Sequence, residues 1–147
     1  MELEQKLKML QIYYAAALSD STLRYGRAKI LEEVTEQKRK EQMSNGIALA
    51  ERFRIKEQKD VFYRTAEIYG CADWVCEATE DGYIATATSC LLCTISKNMN
   101  NPFSPCKLHC LSPIEAMLKG IAKGAEFAVE ETLWNGNRCR VKVTLTK

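Results

Sequence analysis

The sequence predicts an α+β fold: an antiparallel sheet of about four strands, formed by two hairpins and covered by an N-terminal helical layer and a connecting helix. Three observations carry this prediction. Apolar residues recur at three- and four-residue steps through positions 1–69, and the period then shortens to two. Each two-period segment is interrupted by a turn signal, "EDG" in one and "NGN" in the other. The chain has 147 residues, enough for a single core and too few for two, so 1–147 is expected to be one domain.

Leu3, Leu7, Leu10, Tyr14, Ala17 and Leu18 lie on one stripe of a first helix, which "SDST" is expected to interrupt. Ser21 or Thr22 then caps a second helix carrying Leu23, Ala28, Ile30, Leu31 and Val34. "SNG" at 44–46 breaks that helix before "IALAERF" resumes, and 58–69 supplies further helical turns.

In the first hairpin, a turn at Asp81-Gly82 sets Trp74, Cys76 and Ala78 on one face with Ala85, Ala87 and Ser89. In the second, a three-residue loop at 135–137 pairs Phe127 with Leu145, Val129 with Val143, Glu131 with Val141 and Leu133 with Cys139, and so keeps the apolar set on one side. That register leaves Glu131 on the apolar face near Cys139. Between the hairpins, "LSPIEAMLKGIAKG" reads as a helix capped by Ser112, with Pro113 in its first turn and Gly120 or Gly124 at its end.

Composition excludes several classes of function. Charged residues make up 27% and apolar residues 46%, and the net charge is only +2, with Lys and Arg interleaved with Glu. There is no electrostatic footprint for nucleic acid, and "EQKRKEQ" reads as a solvated helix face. No run of eighteen apolar residues suggests a membrane span, and "MELEQKLKML" lacks the pattern of a secretory signal. A cytoplasmic location is expected, where seven cysteines read as thiols or metal ligands.

Cys90, Cys93, Cys106 and Cys110 form C-x2-C-x12-C-x3-C, and His109 is the only histidine. Four soft thiolates at paired spacings suit zinc or, less readily, an iron-sulfur cluster. The alternative is that Cys90 and Cys93 are small core residues while Cys106 and Cys110 share a helix face. His109 is either a ligand or a surface residue. Glu131, if buried, must be paired, bound to metal or protonated, unless it lies near the sheet edge and reaches water.

The C-terminal segment "FAVEETLWNGNRCRVKV", with its "GNRC" turn at Gly136 to Cys139, resembles the closing motif of the 4-vinyl reductase-like domains and of the L-2-amino-thiazoline-4-carboxylic acid hydrolase family. The resemblance covers roughly 70–147. It implies a small-molecule pocket between helices and sheet. It also implies a zinc site that would draw on Glu131 or Glu130, on Cys139, and on Cys106 or Cys110. The chain departs from the pattern at Leu133 and Trp134, where a cysteine would precede the glycine turn.

On this resemblance, the leading expectation is a hydrolase cleaving a carbon-nitrogen or carbon-sulfur bond of a small heterocycle or amide. Cys106 is then a nucleophile or metal ligand, and Glu131 or His109 a general base. The alternatives are a non-enzymatic binding or sensor domain with cysteine-ligated zinc, and an iron-sulfur redox protein. The Leu3, Leu7 and Leu10 stripe could also pair two copies as a homodimer.

Overall fold

The computed structural model describes residues 1–145, and its architecture is α+β. Helix α1 spans Leu3–Arg27, α2 Leu31–Ser44, α3 Gly46–Arg52 and α4 Asp60–Tyr69. The expected interruption at "SDST" does not occur. Ser21 Oγ and Thr22 Oγ1 both donate to the Leu18 carbonyl, at 2.8 and 2.9 Å, so the hydroxyls are satisfied by the preceding turn and α1 runs through. The chain reverses instead at Lys29, whose φ of 61° is left-handed. Asn45 separates α2 from α3, at the break expected from "SNG".

Strands β1 (Val75–Ala78), β2 (Gly82–Ala87), β3 (Glu126–Glu131) and β4 (Cys139–Thr144) form one antiparallel sheet in the order β1-β2-β4-β3. Both hairpins slip by two residues from the expected pairing. Cys76 faces Ala85 and Ala78 faces Tyr83, while Phe127 faces Val143 and Val129 faces Val141. An even slip keeps each side chain on its face; Ala85, Ala87, Val141 and Val143 are buried as expected, whereas Ala78 and Val129, on the outer strands, are exposed. The second connection is longer than three residues, however, and a bulge between Val129 and Glu131 sets Glu131 opposite Arg140.

Tyr83, Ala85, Ala87, Cys139, Val141 and Val143 are buried on one sheet face. Phe62 of α4 fills the space above them. Its ring centroid lies 4.8 Å from that of Trp74, 6.0 Å from Tyr83 and 6.1 Å from Phe127. The small residues of β2 therefore admit a helix closely, and the interface between helices and sheet is filled by aromatic rings.

Two further elements lie between the hairpins. Helix α5 (Leu91–Asn98) packs on α1, and α6 (Ser112–Ile121) packs on α2 and α3. Ser112 does not cap α6, because a π-helical turn, Lys107–Leu111, runs directly into it. Gly120 lies within α6 and does not end it. A Cβ on Gly120 would stand 2.6 Å from the Gly46 carbonyl carbon, and one on Gly46 would stand 2.3 Å from the Ala116 oxygen. The two glycines let the α3 and α6 backbones touch, and this contact closes one side of the cavity described next. Among the described residues, no helix is long and apolar enough to cross a membrane.

Candidate functional site

A cavity of about 490 Å³ lies within the helical layer. Its walls come from α1 to α4, the π-helical turn and α6, and no strand residue lines it. The pocket expected between helices and sheet is thus displaced into the helices, because Phe62 and its neighbours occupy the sheet interface.

The cavity has two chemically distinct ends. Tyr14, Tyr69, Cys71, His109 and Cys110 also line an adjoining crevice toward α1 and Leu92. Lys38, Gln42, Leu49 and Arg52 also line a groove toward Asn45. The two sets share no member, so thiols and imidazole mark one end and two cations and an amide the other.

His109 Nε2 stands 3.0 Å from Ser21 Oγ. The serine hydroxyl has one hydrogen, which it donates to the Leu18 carbonyl at 2.8 Å. Nε2–H is therefore the donor to Ser21 and Nδ1 is an open acceptor, with no hydrogen-bond partner among the described residues. Burial, reinforced by the charge of Lys38, pushes the imidazole pKa down to about 4. The ring is neutral at pH 7, as a general base must be.

Cys71 follows Gly70, the left-handed residue that ends α4 at φ 62°. Hydrogen bonding from the Cys110 thiol holds the Cys71 pKa below that of an ordinary cysteine, while Cys110, as the donor, is held well above it. Of the pair, Cys71 ionises first. Tyr69 stacks on Tyr14 with centroids 5.3 Å apart and forms an aromatic wall beside it. At the other end, Arg52 has no hydrogen-bond or ion-pair partner among the described residues, and Lys38 meets only Glu41, at 3.9 Å. Gln42 Oε1 is buried and unpaired.

The residues singled out in the sequence separate into three places. His109 and Cys110 line the cavity. Cys90, Cys93 and Cys106 lie together beside it: Cys93 Sγ is 3.5 Å from Cys106 Sγ, and Cys90 Sγ accepts from the Cys93 N–H at 3.5 Å. In a regular α-helix Cys106 and Cys110 would share a face; the wider π-helical turn breaks that alignment, so Cys106 packs on Cys93 and Cys110 interacts with Cys71. Among the described residues no three His, Cys, Asp or Glu side chains are grouped to hold a metal ion. The donor set does not fit the zinc that the resemblance implies, and no step below is routed through a metal.

Glu131 lies elsewhere. The bulge turns it to the β3–β4 connection, where Oε2 accepts from the Asn137 and Arg138 N–H groups, both at 3.2 Å, and Arg138 Nε lies 3.6 Å from Oε1. It clasps a turn and does not line the cavity, which corrects its expected role as a base. Glu130 pairs with Arg140 at 2.8 Å. Cys139 Sγ accepts from the Leu133 N–H at 3.2 Å, and burial pushes its thiol up to about 11. All seven cysteines are free thiols.

Sequence reasoning missed Cys71, Ser21, Lys38, Gln42 and Arg52. Only Cys71 had a local signal, a cysteine directly after a helix-ending glycine. The others are joined by tertiary packing alone. Comparison of the chain with protein-family models, with curated proteins and with solved structures finds no match.

Proposed function

We propose that the chain is a cytoplasmic hydrolase of small carboxylate-bearing heterocycles or amides, similar in chemistry to the aminothiazoline-carboxylate hydrolases. The observation that supports this most is that Cys71, Cys110 and His109 line one cavity, with Nδ1 of a neutral imidazole left open. The Cys71 thiolate adds to the electrophilic carbon between nitrogen and sulfur, or to that of an amide; the ring C–S bond or the amide C–N bond then breaks, the leaving sulfur or nitrogen takes a proton from solvent, and a covalent adduct stays on Cys71 until water displaces it and frees the thiolate. His109 Nδ1 then takes a proton from the water that displaces the adduct. Arg52 and Lys38 hold the substrate carboxylate at the far end, and Gln42 Oε1 accepts from its N–H donor.

The test is incubation of the purified chain with 2-aminothiazoline-4-carboxylate, scored for a ring-opened product heavier by one water, and with a panel of ring-opened amides, scored for the released acid and amine. Turnover that is lost in Cys71→Ser and His109→Asn supports the reading, whereas turnover unchanged in both variants refutes it.

A second reading, a thiolate metal centre in a binding or redox domain, starts from the Cys93–Cys106 pair alone, with further ligands having to move in because no three such groups are gathered among the described residues. Two sulfurs on one tetrahedral zinc stand ~3.8 Å apart for bonds of ~2.3 Å, and Cys93 and Cys106 stand 3.5 Å apart. Elemental analysis of protein purified with and without oxygen tests it. Stoichiometric zinc or iron that Cys93→Ser releases would establish that reading, and metal-free folded protein would end it.

A further inference from the structure

The three thiols beside the cavity differ in acidity and access. Cys90 is the N-cap residue of α5, and Cys93 is the third residue of that helix, a C-x-x-C pair at a helix start. Cys90 also lines a surface groove of about 390 Å³ with Gly70, Cys71, Asp73, Ser89 and Thr94, whereas Cys93 and Cys106 line neither this groove nor the cavity. A small oxidant in solvent therefore reaches Cys90 before Cys93.

The local geometry favours negative charge on Cys90. Its sulfur receives hydrogen bonding from the Cys93 thiol and from the Cys93 N–H, which lowers its pKa to about 7. Asp73 fixes the approach to this cap, accepting from the Thr88 N–H at 2.7 Å and the Ser89 N–H at 2.9 Å. Cys93, the donor, is held protonated, and its sulfur lies 3.5 Å from Cys106. The arrangement pairs an acidic thiol that borders a surface groove with one three residues on that does not, although both are largely buried.

We propose that Cys90 and Cys93 form a thiol-oxidation site, in which Cys90 reacts with a peroxide and Cys93 resolves the product to an intramolecular disulfide. The Cys90 thiolate attacks one oxygen of hydrogen peroxide; the O–O bond breaks, and hydroxide leaves and takes a proton to become water. Cys90 is now a sulfenic acid, oxidised by two electrons, and the peroxide is reduced. The Cys93 sulfur then attacks the Cys90 sulfur, its proton passes by way of Cys106 to the departing hydroxide, and the second water leaves. Two thiols and one peroxide give one disulfide and two waters. Neither thiol of this site lines the cavity, and Cys71, which borders both cavity and groove, is followed separately in the test below.

The test treats the reduced full chain with equimolar hydrogen peroxide, followed by alkylation, tryptic digestion and mass spectrometry. Cys90 and Cys93 share the peptide 65–97, while Cys106 lies in 98–107 and Cys110 in 108–119. The expected product is a Cys90–Cys93 link within 65–97, assigned by fragmentation. In Cys93→Ser, the expected product is a sulfenic acid on Cys90, trapped by dimedone. A link from Cys93 to Cys106, a Cys71–Cys110 link formed first, or a Cys90 that stays reduced while other thiols oxidise overturns the proposal. Because Cys93→Ser could fail to fold, the wild-type chain supplies a second readout, the rate of Cys90 labelling by iodoacetamide against pH. A midpoint near 7 supports the proposal, and a midpoint at or above the ordinary thiol value overturns it.

Discussion

His109 Nε2 lies 3.0 Å from Ser21 Oγ, across 88 residues of sequence, and this contact fixes which nitrogen of the only histidine is available for chemistry. Replacing Ser21 by Ala frees Nε2 and lets the ring rotate and change tautomer. The expected effect is a fall in kcat of about tenfold, ~1.4 kcal/mol, with KM little changed. Stability should drop by only about 1 kcal/mol, the net worth of one hydrogen bond, measured by urea denaturation.

The same histidine makes stability depend on pH. Its folded pKa, about 4, lies below its ordinary 6.5, so the unfolded chain takes up the proton first as pH falls. Its contribution is undiminished above about pH 7 and declines between ~6.5 and ~4. The full shift corresponds to ~3 kcal/mol, and partial exposure of the ring screens this to about 1–2 kcal/mol. Denaturation of the wild type and His109→Asn at pH 7.5 and 5 checks this: the loss at pH 5, partway down that range, should be smaller in the variant by somewhat more than half of that amount.

Gly120→Ala tests the helix contact that closes the cavity. Alanine gains up to ~1 kcal/mol of helix propensity over glycine. The new methyl, however, meets backbone atoms of Gly46 and Ile47 at 2.6 and 2.7 Å, and backbone cannot swing away as a long side chain can. Overpacking of this kind costs about 1–3 kcal/mol or more, so a lower melting temperature is expected. A rise would mean that α3 and α6 do not pack as described.

Arg52→Ala removes a cation that has no hydrogen-bond or ion-pair partner among the described residues. The expected outcome is a KM for a carboxylate substrate raised about tenfold or more, the worth of one charge-assisted hydrogen bond, with kcat retained. The matching carboxamide should bind wild type and variant alike. Equal loss on both substrates would show that Arg52 acts through folding and not through charge recognition.

How much of this was legible in the sequence depends on the range of the interaction. The α+β class, both hairpins and the break at Asn45 follow from local periodicity and turn chemistry, and the structure contains them. The two-residue slips were invisible because an even slip keeps Val141 and Val143 inside, so the apolar pattern cannot choose between the registers. Ser21 and Thr22 read as caps because their hydroxyls serve equally well at a helix start or bonded back to Leu18; only tertiary burial of α1 decides. The cysteine cluster was found, but its division was not. A π-helical turn has no simple sequence period, and it sends Cys106 to Cys93 and Cys110 to Cys71. Glu131 was misplaced by the bulge, which turns a strand position into a turn clasp.

The central claim is that a thiol of the helical cavity, and not one of the neighbouring cluster, performs nucleophilic chemistry. Rapid-quench mass spectrometry during incubation with 2-aminothiazoline-4-carboxylate tests it most directly: Cys106 and Cys110 fall in tryptic peptides of their own, and fragmentation of 65–97 separates Cys71 from Cys76, Cys90 and Cys93. The expected result is a transient adduct on Cys71 within 65–97 that accumulates in His109→Asn, where water is no longer activated. An adduct on Cys90 or Cys93 within 65–97 or on Cys106 within 98–107, or full turnover in Cys71→Ser, would contradict the account.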